Sequence, residues 1–129
     1  QELICIYRCY ATMKEVESAT IQSIEERLRR FVSERGWQRF QTPKNLAMAL
    51  AAECGELLEQ FQWLGPEESR DLGADKQRAV AAEMADVFIY LLRLADELGL
   101  DLLQEAWDKM AANEAKYPAQ SFQDKAPKA

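Results

Sequence analysis

Residues 42–64 read TPKNLAMALAAECGELLEQFQWL, and from Asn45 to Gly65 the only charged side chains are Glu53, Glu56 and Glu59. Thr42 followed by Pro43 is an N-cap with proline at the first helical position, and Gly65-Pro66 ends the run, so the segment reads as one long helix. At about 100° per residue, Leu46, Leu50, Leu57 and Phe61 share one stripe. Glu53 falls inside that stripe, Glu56 lies on its flank and Glu59 sits farther round.

Downstream, residues 76–98, KQRAVAAEMADVFIYLLRLADEL, form a second apolar helix, with Asp75 as its expected cap and Gly99 as its stop. From Ala79 to Leu92 its only charges are Glu83 and Asp86. Val80, Met84, Val87, Leu91 and Leu98 are expected to form its buried stripe, with Glu83, Asp86 and Tyr90 along one edge. Upstream, Val16, Ile21, Ile24, Leu28, Phe31 and Val32 follow near-helical spacing up to Arg35-Gly36, and the loop from Gly36 to Gln41 carries Trp37 and Phe40. Asp101 can cap a fourth helix that ends near Tyr117-Pro118. Residues 65–74, GPEESRDLGA, are charged and aperiodic and read as a mobile surface loop. No stretch alternates as a strand does. The expected fold is all-α, a four-helix bundle whose two long central helices carry the acids, over residues 13–118. Residues 1–12, which precede Met13, read as an N-terminal tail or extension, and residues 119–129 as a flexible C-terminal tail.

The composition narrows the chemistry. The 129 residues are 48% hydrophobic and 29% charged, with a net charge of −6 and no histidine. One ordinary globular domain fits that size. Without histidine there is no Ser-His or Cys-His nucleophile, no HExxH zinc site, no Glu-x-x-His di-iron pair and no imidazole proton shuttle. The negative balance argues against nucleic acid and anionic membranes as partners, and no run approaches the roughly 18 apolar residues of a membrane-spanning helix. Cys5, Cys9 and Cys54 suit neither a disulfide scaffold nor a four-ligand zinc site, which points to a reducing, cytoplasmic setting.

Two acids turned toward or beside the seam of each central helix can meet in one pocket. Like charges about 4 Å apart repel by about 4 kcal/mol at an effective dielectric of about 20, so such a cluster needs protonation, a lysine or arginine partner, or a hard cation. Arg29, Arg30 and Arg78 are available as partners, and solvated acids at helix edges are the simpler reading of either pair alone, whereas the two pairs together, in charge-poor apolar helices, favour a shared site. If a metal is the answer, oxygen-only ligands favour Mg²⁺, or Mn²⁺, over zinc or copper. Mg²⁺ commonly shares its site with phosphate oxygens, which gives an acidic protein a route to a polyphosphate.

The segment from Trp37 to Pro118 resembles the all-α nucleoside triphosphate pyrophosphohydrolases of the MazG-like superfamily, and within it looks most like the dCTP pyrophosphatase branch. The resemblance rests on Glu53-x-x-Glu56 followed by Glu83-x-x-Asp86, within RGWQRFQTPKNLAMALAAECGELLEQFQWL and EMADVFIYLLRLADELGLDL, and on KMAANEAKYP near the end. It implies that Glu53, Glu56, Glu83 and Asp86 hold Mg²⁺ while water attacks the α-phosphorus, releasing pyrophosphate and a nucleoside monophosphate. Glu53 or Glu56 would take the proton of that water. Trp37, Trp63 and Tyr90 match the family's base pocket, although Trp63 and Tyr90 equally suit core packing. Asn45 belongs to the same motif and is also an ordinary first-turn residue. Lys109, Asn113 and Lys116, with Tyr117 beside them, offer one helical face to phosphate or sugar, or else a solvated face near a helix C-terminus.

One departure stands out: relatives often carry a histidine where this chain has Gln41, so the base preference does not carry over with the metal chemistry. The resulting expectation is a Mg²⁺-dependent enzyme that removes a dNTP, dCTP-like or modified, from the nucleotide pool. The alternative is a non-catalytic nucleotide-binding or helical oligomerisation module. Two long apolar helices in so short a chain, together with the family's habit, imply a homodimer or a homotetramer built as a dimer of dimers.

Overall fold

A computed structural model describes residues 19–125. The expected N-terminal tail, residues 1–12, with Cys5 and Cys9, and Val16 of the first apolar row lie outside the described residues. Helix α1 spans Ile21–Glu34 and opens on a capping box: Ser23 N donates to Thr20 Oγ1 at 3.1 Å and Thr20 N donates to Ser23 Oγ at 2.8 Å. It stops at Gly36, whose φ of 62° lies in the left-handed region that glycine adopts without strain. A 3₁₀ turn at Gln38–Phe40 leads to α2, Pro43–Glu59, where Thr42 accepts from Asn45 N at 3.3 Å and Pro43 takes the first helical position. Helix α4, Ala74–Glu97, is the longest, and α5, Leu102–Lys116, begins where Asp101 accepts from Gln104 N at 3.0 Å.

Four secondary-structure expectations need adjustment. The second helix ends at Glu59, and residues up to Trp63 continue only as turns. The stretch expected to be an aperiodic loop contains a short helix α3, Pro66–Arg70, because Pro66 sits at its first position and Glu68 Oε2 accepts from Gly65 N at 2.8 Å. Gly73, not Asp75, is the N-cap of α4, and Asp75 lies within its first turn, where a carboxylate is favoured by the helix dipole. The last expected tail begins with one helical turn, α6 at Ala119–Phe122, whose Phe122 packs edge-on against Tyr117 with ring centroids 5.3 Å apart.

Packing is concentrated on α4, which lies mainly against α2 and secondarily against α1. Val32, Leu46, Val80, Leu92 and Ala95 form the buried core. On α2 the expected stripe runs from the buried Leu46 through the half-buried Leu50, Glu53, Leu57 and Phe61. On α4 the stripe does not follow expectation: Met84, Leu91 and Leu98 are exposed, while Leu92, Arg93 and Ala95 are buried. The reason is that α4 has neighbours on two sides, and an apolar sequence this continuous does not say which sides they occupy. Helix α5 contributes no buried residue, and its Leu103, Trp107 and Met110 all stand exposed, Trp107 by 77%. Among the described residues no helix is long and apolar enough to cross a membrane.

Candidate active site

Helices α2 and α4 pack together so that the middle of α2 meets the first half of α4, and the start of α2 meets Tyr90. Glu53 and Glu56, one turn apart on α2, therefore face Glu83 on α4. One carboxylate oxygen from each of these three residues lies within 4.8 Å of the others. Glu53 and Glu83 are half-buried and Glu56 is exposed. Asp86 is exposed and outside the three-oxygen group, yet its charge still bears on Glu53 and Glu83. Glu59, the third acid of α2, is exposed and takes no part.

The cluster lacks the partners that would make it ordinary. Arg29 is engaged by Asp96 and Arg78 by Asp75, and among the described residues no lysine or arginine pairs with Glu53, Glu56, Glu83 or Asp86. Glu83 Oε2 is buried and has no hydrogen-bond partner. Burial, then the negative charges of Glu56 and Asp86, raise Glu53 above the usual carboxylate range. Glu83 is raised by burial first, then by the charge of Glu56 and a hydrogen bond with it. A buried orphan oxygen among three converging carboxylates is where a cation restores what burial removed. The donors are all oxygens, since Cys54 is exposed and outside the group and there is no histidine, so the residues fit a hard divalent ion.

One turn back along α2, about 6 Å from Glu53 by helical rise, Ala49 lines a cleft of about 200 Å³. Trp37, Phe40, Gln41, Asn45, Leu46 and Tyr90 complete its wall. The structure thus brings together three of the expected substrate residues, Trp37, Asn45 and Tyr90, in a half-aromatic cleft beside the acids. Trp37 is braced edge-on by Phe31, with centroids 5.8 Å apart, and Asn45 Nδ2 donates to Phe40 O at 2.9 Å, which ties the loop to α2. Apolar walls with a few fixed polar groups are what a small planar ligand requires.

The remaining expected residues stand elsewhere in the single chain. Trp63, 86% exposed, follows the end of α2 and touches neither cleft nor cluster. Lys109, Asn113, Lys116 and Tyr117 belong to α5 and its C-cap, and none of them lines the cleft. Lys116 Nζ lies 5.2 Å from the centre of the Tyr117 ring. Helix α5 leaves α4 through Gly99 and Leu100 without burying a side chain, so nothing within one chain holds that face over the acids. Sequence reasoning missed Arg93, which is buried and donates from Nε to Gln41 Oε1 at 2.8 Å. The signal was present, because a lone cation inside an apolar helix is as anomalous as a lone acid.

Residues 48–128 match the family model described as MazG-like, which includes both acidic pairs. The chain is 40% identical to dCTP pyrophosphatase 1 of Mus musculus over 101 residues, 77% of this chain and 59% of that protein. It is 39% identical to dCTP pyrophosphatase 1 of Homo sapiens over 102 residues, 78% of this chain and 60% of that protein. The chain therefore spans about three-fifths of the length of these curated relatives. Among solved structures, a pyrophosphatase from Archaeoglobus fulgidus DSM 4304 matches with a TM-score of 0.69 and 38% identity, covering 83% of this chain and 93% of that one.

Proposed function

Since the chain belongs to the MazG-like family, we propose that it is a Mg²⁺-dependent nucleoside triphosphate pyrophosphohydrolase, cleaving a dNTP to the monophosphate and pyrophosphate. The observation that carries this reading is the convergence of Glu53, Glu56 and Glu83 around a buried, unpartnered Glu83 Oε2. Glu53, Glu56 and Glu83, with Asp86 beside them, would hold Mg²⁺, or Mn²⁺ in its place. Such an ion, when bound, neutralises triphosphate charge and lowers the pKa of a coordinated water.

The protein's own groups supply the rest. Glu53 or Glu56 would take the proton of the attacking water as it adds to the α-phosphorus and pyrophosphate leaves. Trp37 and Tyr90 would offer their rings to the base, with Asn45 lining the same cleft. Lys109, Asn113, Lys116, Tyr117 and Trp63 contribute to substrate from a neighbouring copy, in a homodimer or a homotetramer that covers α5. The exposed Leu103, Trp107 and Met110, with Met84 and Leu91 on α4 and Leu98 at its C-cap, support that assembly. The partner is a free nucleotide rather than nucleic acid or membrane, and the setting is cytoplasmic.

The test is a dNTP panel with pyrophosphate detection. Turnover is expected to require Mg²⁺ and to vanish in Glu53→Gln and Asp86→Asn. Calorimetric binding of nucleotides without product would establish a non-catalytic module instead, and neither turnover nor binding would overturn both readings.

A further inference from the structure

Gln41 is a polar side chain of the cleft whose orientation a buried cation imposes. Gln41 lines the cleft, and its Oε1 accepts from Arg93 Nε at 2.8 Å. Arg93 is only 8% exposed, and its other nitrogens donate to Asp96 at 3.1 Å and to Glu97 at 2.7 Å. Asp96 is gripped in turn by Arg29 Nε at 2.9 and 3.0 Å. A guanidinium has five donors, no acceptor and a permanent charge. The amide therefore cannot be turned over, because Nε2 toward Arg93 would set donor against donor. With the oxygen so engaged, the Nε2 protons have no hydrogen-bond partner among the described residues.

Resting on the nucleotide reading above, we propose that Gln41 is a specificity-determining residue whose amide N–H reads the N3 acceptor of a cytosine base in the cleft, and that Arg93 is its positioning residue. A donor fixed in this way distinguishes bases of the same outline. Cytosine presents adjacent acceptors, N3 and O2, whereas uracil replaces the N3 acceptor by an N–H donor. Against Gln41, cytosine completes a hydrogen bond where uracil leaves two donors facing one another, the kind of mismatch that polar sites reject most strongly. The selectivity comes from the locked orientation, since a freely rotating glutamine accepts as readily as it donates.

The experiment measures calorimetric affinities of the full chain for dCMP and dUMP, alongside kcat/KM for dCTP and dUTP. Gln41→Glu keeps the outline and keeps an acceptor for Arg93, but points an acceptor into the cleft. It is expected to lower the cytosine-to-uracil ratio by about tenfold or more. Gln41→Leu, without any polar group, should bring the ratio toward unity. Arg93→Met frees the amide to rotate and should move the ratio in the same direction, whereas a merely structural role would weaken both nucleotides alike. If Arg93→Met does not fold, Arg93→Gln, whose amide can accept as well as donate and so leaves Gln41 free to turn over, is judged by the same ratio. A wild-type ratio in both Gln41 variants, or no dCMP binding by the wild-type protein, overturns the inference, and a wild-type ratio in the folded Arg93 variant overturns the positioning role. Turnover with an unchanged ratio leaves the hydrolase reading standing and sinks this one. A shifted binding ratio without turnover does the reverse.

Discussion

Helix α4 carries acids at both ends of its buried stretch, and their surroundings are opposite. Glu83 and Asp86, near the start, meet more acids and no cation. Asp96 and Glu97, near the end, are gripped by Arg93, and Asp96 also by Arg29. The hydrogen bond and charge of Arg29 hold Asp96 below the usual carboxylate range, while burial and neighbouring acids push Glu83 above it. One end of the helix is electrostatically complete and stabilises the fold. The other is incomplete and is the end where a ligand has something to supply.

The comparison breaks most visibly on activity. Glu53→Gln or Glu83→Gln is expected to reduce pyrophosphate release by about a hundredfold or more, because each removes a charged oxygen from the three-residue group. Asp96→Asn should affect folding before chemistry. It leaves the buried Arg93 with Glu97 as its remaining carboxylate partner and releases Arg29, which should cost about 2 kcal/mol and lower Tm by about 5 °C or more in thermal denaturation. If Asp96→Asn melts like the parent, the completed end is not a stabilising network.

The two ends also predict opposite pH slopes. For Glu83 and Glu53 the folded-state pKa is raised, so the native state binds more protons than the unfolded chain as pH rises from about 4.3. Stability from these groups is therefore present at acid pH and lost as pH rises through the raised values. For Asp96 the folded pKa is depressed, so its contribution is present above about pH 3.9 and lost as pH falls through the folded value. In metal-free buffer, Glu83→Gln should gain on the wild-type protein as pH increases from about 4.3, and Mg²⁺ should close that gap. Asp96→Asn should instead approach the wild-type protein as the solution is acidified. Parallel melting curves across this range would show that the two ends are electrostatically alike.

Much of this layout was legible beforehand, for a local reason. Caps act within one turn, so Thr42-Pro43, Asp101, Gly36 and Gly99 mark helix ends without reference to any neighbour. The acids of α2 and α4 were conspicuous because apolar flanks isolate them. What did not follow was which apolar face has a neighbour: Met84, Leu91 and Leu98 have the period of a seam and stand exposed, and α5 carries an apolar row that this chain leaves uncovered. Periodicity describes one helix, whereas burial depends on others, including those of another copy. Arg93 escaped notice because it was read as the boundary of an apolar window rather than as a charge within the core.

The smallest expected effect isolates burial as the deciding variable. Arg78 pairs with Asp75 at the start of α4 with the same three-residue spacing that joins Arg93 to Asp96, so helical geometry is common to both pairs. Their side chains are 75% and 96% exposed, against 9% and 16% for Arg93 and Asp96. Solvent already satisfies the first pair in the absence of its partner, whereas the second has little water to fall back on. Arg78→Gln should therefore change stability by less than about 0.5 kcal/mol, and added salt should have little further effect. A loss approaching that of Asp96→Asn would mean that spacing, not burial, sets the strength of these pairs. The same result would remove the ground for treating the unpaired acids at Glu53 and Glu83 as costly.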